Sequence, residues 1–304
     1  MNRREFLKKG LALTVGAGAL ALPGNLGKGL GVAVAAPADL AAVKGGETPE
    51  MFDRGLAALG GIGRFVSKGQ TVVVKPNIAW DVEEELGANT NPALVARIVR
   101  RCLEAGASKV LVFDHTCDLW KRSYAKSGIE EAATRAGAKV VPADQAEAYR
   151  KAVIRGARVL KETRVHELIL QSDVFINVPI LKSHGGAGLT IAMKNLMGIV
   201  WDRGEMHSRG LHPCIADLSL LRKPDLNVVD AYRVMTRSGP RGTSAKDVTI
   251  RKAQILSADI VAADAAAAKI FGTEPGSIGY IRQASELKAG TMDLERLRIE
   301  RISL

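Results

Sequence analysis

Aromatic residues occupy only 4% of this 304-residue chain, while alanine, glycine and valine abound. A core with few large rings packs through close approach of small side chains, which suits helices laid on a sheet. Cysteine is equally sparse, at three residues. No CxxCxxC run is present, which argues against an iron–sulfur cluster held by this chain. Cys102 falls on the helical apolar face Val95, Ile98, Val99, Cys102, Leu103 and reads as core. Cys117 and Cys214 could pair in an oxidising compartment, but the sequence alone does not give their distance. There is no HExxH, heptad run, fixed-period repeat or dividing linker. No nucleic-acid reader motif accompanies the basic residues, so nucleic acid is not an expected partner. The apolar stretch Leu11–Leu22 runs into Pro23, Asn25 and Lys28, so no stable membrane span is expected after leader cleavage.

What is present begins at the N-terminus. Asn2-Arg3-Arg4-Glu5-Phe6-Leu7-Lys8-Lys9 resembles a twin-arginine export signal, and Ala33-Val34-Ala35 offers a small-residue cleavage site. Residues 1–35 are therefore expected to be a signal peptide, 36–66 an N-terminal arm and helix, and 67–304 an α/β domain. This pattern implies a periplasmic location and the twin-arginine translocation machinery as a partner. The formal charge is +11; residues 1–35 hold five Lys/Arg and one Glu, leaving +7. The densest basic run, Arg150 to Arg164, reads as a solvated face or as an attractor of anions.

Apolar runs at Thr71–Pro76, Lys109–Asp114, Lys139–Pro142, Val174–Pro179 and Leu226–Ala231 alternate with helical patterns. Asn91-Pro92 opens one helix and Gly106 ends it; Ile260–Phe271 is an alanine-rich second. Lys252–Leu256 reads as extended, and Arg298–Ile302 as an edge strand. The strands are continuously apolar, which predicts a mostly parallel sheet with helices on both faces in a single large domain with insertions.

Ligands of such sheets bind beyond the carboxyl ends of the strands. Lys75 and Asn77 follow the first run, Asp114 and His115 the second, and Lys182, Ser183 and His184 the fourth. Asp230 follows Leu226–Val229, and Arg237, Gly239 and Arg241 lie in the turn after it. Between Asn177 and Val200 an apolar run meets Lys182-Ser183-His184, then Gly185, Gly186 and Gly188, then a helical segment carrying Lys194 and Asn195. The lysine and serine precede the glycines, so this is no Walker loop, and Ile191 stands where a dinucleotide fingerprint needs a third glycine. Glycines here would let backbone N–H groups approach an anion, or would only tighten a strand-to-helix crossover. The expected acid–base groups are His184, Asp230 and Lys75. The expected ligand-binding groups are Asn77, Lys182, Ser183, Gly186, Lys194, Asn195, Arg237, Gly239 and Arg241. Asp114, His115, His184, His207 and His212 are of the type that binds a divalent metal, or serve as loop and capping residues.

The order Lys75-Pro76-Asn77, Thr90-Asn91-Pro92, Val178-Pro179-Ile180-Leu181-Lys182-Ser183-His184 and Thr190 to Gly198 resembles the domain of unknown function 362 family. Asn227 to Ala231, Gly239 to Gly242 and Ser257 to Asp264 extend the resemblance to about residues 70–280. It implies one α/β domain and no particular reaction. Many members resemble iron–sulfur proteins through cysteine runs that this chain lacks. The expected function is an exported enzyme acting on a small anionic substrate. The alternative is a non-catalytic periplasmic module binding an anion or a redox partner.

Overall fold

Consecutive apolar residues suit a strand only when both of its faces are covered, and the apolar runs of this chain are covered on both. The computed structural model describes residues 36–304, so the export signal expected at 1–35 lies outside the described residues. In chain order the strands are β1 (Leu40–Lys44), β2 (Thr71–Pro76), β3 (Lys109–Val112), β4 (Lys139–Val140), β5 (Tyr149–Val153) and β6 (Glu162–His166). They continue with β7 (Val174–Val178), β8 (Ile180–His184), β9 (Gly188–Thr190), β10 (Leu226–Met235), β11 (Val248–Ser257) and β12 (Ile299–Ser303). Ten of them form one sheet, along the order β12-β1-β11-β10-β7-β2-β3-β4 with β8 and β9 branching from β10. β4, β3, β2, β7 and β10 are parallel, while β11 runs antiparallel to both β10 and β1.

Each strand splits its side chains between two cores. Val72, Val74, Val110, Val112, Val174 and Ile176 face one side, packing with Met51, Phe52, Leu94, Val95 and Ile98. Val73, Leu111, Phe175 and Val229 face the other, against the alanine-rich helix Ile260–Phe271. The helix Pro92–Glu104 starts where Asn91 accepts a hydrogen bond from Leu94 N at 3.1 Å. Asp259 likewise accepts from Val261 N and Ala262 N to start Ile260–Phe271, which ends at Gly272 with φ 100°. The fold is a mixed, mostly parallel α/β sheet with helices on both faces.

Two expectations are corrected. Residues 36–66 do not stand apart as an arm: β1 lies inside the sheet between β11 and β12, and Thr48–Ala58 is a core helix. The strand Leu40–Lys44 is buried at four consecutive positions because Leu40 and Ala42 face one core and Ala41 and Val43 the other. Thr190–Val200 is not one helix. Thr190 closes β9, then Ala192–Asn195 is a short α-helix and Leu196–Ile199 a 3-10 turn. The pairing of Cys117 and Cys214 that the sequence left open is not formed: both are free, one exposed and one buried. The basic run from Arg150 folds as the two-stranded antiparallel sheet β5–β6.

Candidate functional site

The chain turns at Pro179, and this turn opens the sheet. β7 pairs with β2 on one side and with the start of β10 on the other. Past Pro179, β8 pairs with β10 and β9 and no longer with β2. Beyond the ends of β2 and β3 lies a cavity of about 440 Å³, walled by residues of β8 and of the segment after β9.

Its floor is a buried ion pair on an amide ladder. Lys75, fully buried, has Nζ 2.8 Å from Asp114 Oδ1 and donates to Pro76 O at 2.8 Å and to Asn195 Oδ1 at 3.0 Å. Asp114 Oδ2 accepts from Ile78 N at 2.6 Å. Asn195 Oδ1 also accepts from Asn77 Nδ2, and its own Nδ2 donates to Asn177 Oδ1, both at 2.9 Å. Asn177 continues the ladder to Asn227 at 3.0 Å. Gly198 closes over the pair: a Cβ there would fall 1.9 Å from Asp114 Oδ1 and 2.7 Å from Lys75 Nζ.

Three cations ring the space above. Lys182 is 1% exposed and donates to Ala88 O and to Asn77 Oδ1, the latter at 3.4 Å. Lys194 is half-buried and has no hydrogen-bond or ion-pair partner among the described residues. Arg203 donates to the carbonyls of His115 and Thr116 at 3.0 and 2.6 Å and lies 3.3 Å from Cys117 Sγ. None of the three meets a carboxylate among the described residues, and the one carboxylate of the cavity wall, Asp114, already serves Lys75. Burial pushes Lys182 down to about 7, and burial with Arg203 and Lys75 nearby lowers Lys194 to about 8. Trp80 Nε1 and Thr190 Oγ1 in the same wall have no hydrogen-bond partner among the described residues. The cavity wall thus gathers basic groups, two of them amines whose pKa values burial brings toward neutral.

The histidines do not assemble a metal centre. Among the described residues no group of three or more His, Cys, Asp or Glu is arranged to hold a metal ion. His115 uses Nδ1 on Val200 O at 2.8 Å and stacks on Trp201. His184 Nδ1 accepts from Gly186 N and Ala187 N, both at 3.1 Å, so its proton sits on Nε2. Burial and the neighbouring lysines push its pKa to about 3, which makes it a neutral N–H donor and not a proton shuttle at neutral pH. His207 is at the exposed part of the wall. His212 lies elsewhere, accepting from Tyr280 N and stacked on that ring.

Lys75, Asn77, Asp114, His115, Lys182, His184, Lys194, Asn195 and His207 are thus brought together, and the other expected residues are not. Asp230 is in the middle of β10, where it accepts from Asn91 N and Tyr232 N at 2.9 and 3.0 Å. The ladder shifts register between Ala231 and Arg233, and the carboxylate takes the N–H this frees. Burial raises its pKa to about 6. Gly186 is in the exposed turn between β8 and β9, so the glycines make a hairpin and no helix N-terminus. Ser183 and Gly239 bond each other, and a Cβ on Gly239 would strike Ser183 O at 1.9 Å. Arg237 pairs with Asp247, and Arg241 clamps Asp81 and Asp118 beside Trp80. Pattern reading overlooked Arg203, Gly198 and the ladder role of Asn177. An asparagine inside the apolar run Val174–Pro179 was the available mark of that ladder.

The family model for a domain of unknown function, DUF362, matches residues 72–269, a span that holds both the floor and the cationic ring. The chain belongs to the DUF362 family. A relative is the "Thylakoid-associated protein sll1697" of Synechocystis sp., 27% identical over 238 residues, which covers 73% of this chain and 70% of that protein. Among solved structures, the lactate racemase apoprotein of Thermoanaerobacterium thermosaccharolyticum aligns with a TM-score of 0.42 and 13% identity over 70% of this chain and 53% of its own. A Thermotoga maritima protein aligns at 0.45 and 12% over 78% of this chain and 59% of its own. This chain therefore spans less than two thirds of either solved structure. No helix among the described residues is long and apolar enough to cross a membrane.

Proposed function

We propose that this DUF362 member is an exported, periplasmic enzyme that binds a small anionic substrate in the cavity beyond β2 and β3. The observation that carries this reading is the ring of Lys182, Lys194 and Arg203, gathered around one cavity with no carboxylate partner among the described residues. Bringing cations together without a counter-ion is unfavourable unless a ligand supplies the opposite charge. Amines with pKa values of about 7 and 8 also favour catalysis over plain binding, because they can exchange protons with a substrate near neutral pH. The twin-arginine pattern supports export by that machinery, and the relative's thylakoid-associated name agrees with a protein working at or beyond a membrane.

Thermal denaturation with phosphate and with small carboxylates, at ionic strength matched by sodium chloride, tests the anion site. These anions should raise the melting temperature of the native protein. They should not raise that of the Lys182→Met/Lys194→Met/Arg203→Met variant. An equal shift in both proteins, or none in either, refutes the reading.

A further inference from the structure

The lysines of the cavity are held very differently. Lys75 Nζ is surrounded by Asp114, Pro76 O and Asn195, and Lys182 Nζ is held by Ala88 O and Asn77. Lys194 lines the cavity, and its Nζ has no partner among the described residues. Its backbone, by contrast, is fixed. The buried Asp264 carboxylate accepts from Ala192 N and Met193 N at 2.7 and 3.1 Å, and Asn195 is locked into the amide ladder. A free amine on a rigid mount, with cations beside it to hold an anionic group, is the arrangement needed for attack on a carbonyl carbon.

We infer that Lys194 is the nucleophile of a covalent step, condensing with the carbonyl of a small anionic carbonyl compound to form an imine, while Lys182 and Arg203 hold the substrate's anionic group. This rests on the proposed anion-binding function and adds to it the substrate class and the attacking atom. The step balances. The Lys194 ammonium loses one proton to water, and the amine lone pair forms the C–N bond as the carbonyl π pair moves to oxygen. That oxygen then takes up one proton from the nitrogen and one from solvent and leaves as water. The product iminium keeps one N–H and the positive charge that the ammonium carried. The neighbours Lys75, Arg203, Asp114 and Cys117 act on this amine together with burial, and the balance leaves it at about 8. At pH 7.5 an amine of that pKa is unprotonated about 200-fold more often than an ordinary lysine.

The test is reductive trapping. The protein is incubated with pyruvate, with glycolaldehyde phosphate, or with acetate as the carbonyl-free control, in the presence of cyanoborohydride at pH 7.5, and the adduct is mapped by peptide mass spectrometry. An adduct on Lys194 with either carbonyl probe, formed ahead of any on exposed lysines and lost in Lys194→Arg, is expected. The probe that traps identifies a carboxylate or a phosphate as the anionic group. Lys194→Arg keeps the charge, so it should keep the anion-induced rise in melting temperature while losing the adduct. If the carbonyl probes raise the melting temperature but no adduct forms, or the adduct maps to Lys182 or Lys75, the covalent inference is overturned and the anion site stands. If no anion raises the melting temperature, both fall.

Discussion

Lys182→Met should change how the stability of this protein depends on pH. The native ammonium is 1% exposed, so solvent screening does not rescue it, and burial pushes its pKa from 10.5 to about 7. The unfolded chain holds that proton up to about pH 10.4, whereas the folded chain releases it above about 7. Between these values the unfolded state binds about one more proton, so stability rises with pH by about 1.4 kcal/mol per unit. From pH 7 to pH 10 this amounts to about 4 kcal/mol contributed by Lys182 alone. Methionine has no proton to release, so the stability difference between native protein and variant should change by that amount across the window. Below pH 7 the difference should be flat. The acceptors that methionine orphans, Ala88 O and Asn77 Oδ1, add a roughly constant offset and leave the slope untouched. Urea denaturation of both proteins at pH 7, 8, 9 and 10 measures it. Saturating phosphate should shrink the slope, because a bound anion keeps Lys182 charged. Parallel stability curves from pH 7 to 10 would show that Lys182 keeps its proton in the folded state and would refute the account of the cavity's electrostatics.

Gly198→Ala should destabilise the fold by about 3 to 5 kcal/mol, because its Cβ would part the buried pair Lys75–Asp114. Gly185→Ala, with nothing within 4 Å of its Cβ, should stay within about 0.5 kcal/mol of the native protein. Similar urea midpoints for the two variants would exclude the close approach as the reason for a glycine at 198. Replacing Arg3 and Arg4 together by lysine should leave an uncleaved precursor in the cytoplasm, as read by fractionation and immunoblot. Mature protein reaching the periplasm at the native level would refute the export reading.

Local pattern was a good guide where the environment is uniform. Thr71–Pro76 and Val174–Val178 are apolar at nearly every position because each has a core on both sides, and Asn91-Pro92 marks a helix start through a contact three residues away. It misled where a strand runs past a polar residue. Asp230 looked like the end of a strand, yet it is buried inside ten residues of β10 and satisfies a frayed ladder position. The glycines after His184 looked like the approach to a helix, yet the next residues turn back to pair with β8. Helix and hairpin share the same glycine chemistry, and only the partner strand distinguishes them.

The sequence by itself determined the alternation of buried strands and helices, the helix caps and the family. These follow from the spacing of apolar residues and from contacts a few positions apart. Tertiary structure decided the fate of each charge. Lys75 and Asp114 are 39 residues apart and meet as a buried pair, whereas Lys194 has no partner among the described residues. Whether a lysine is paired, held neutral or free to attack depends on which groups surround it and how much water remains. That is settled by packing between distant segments, here at the place where Pro179 turns β8 away from β2.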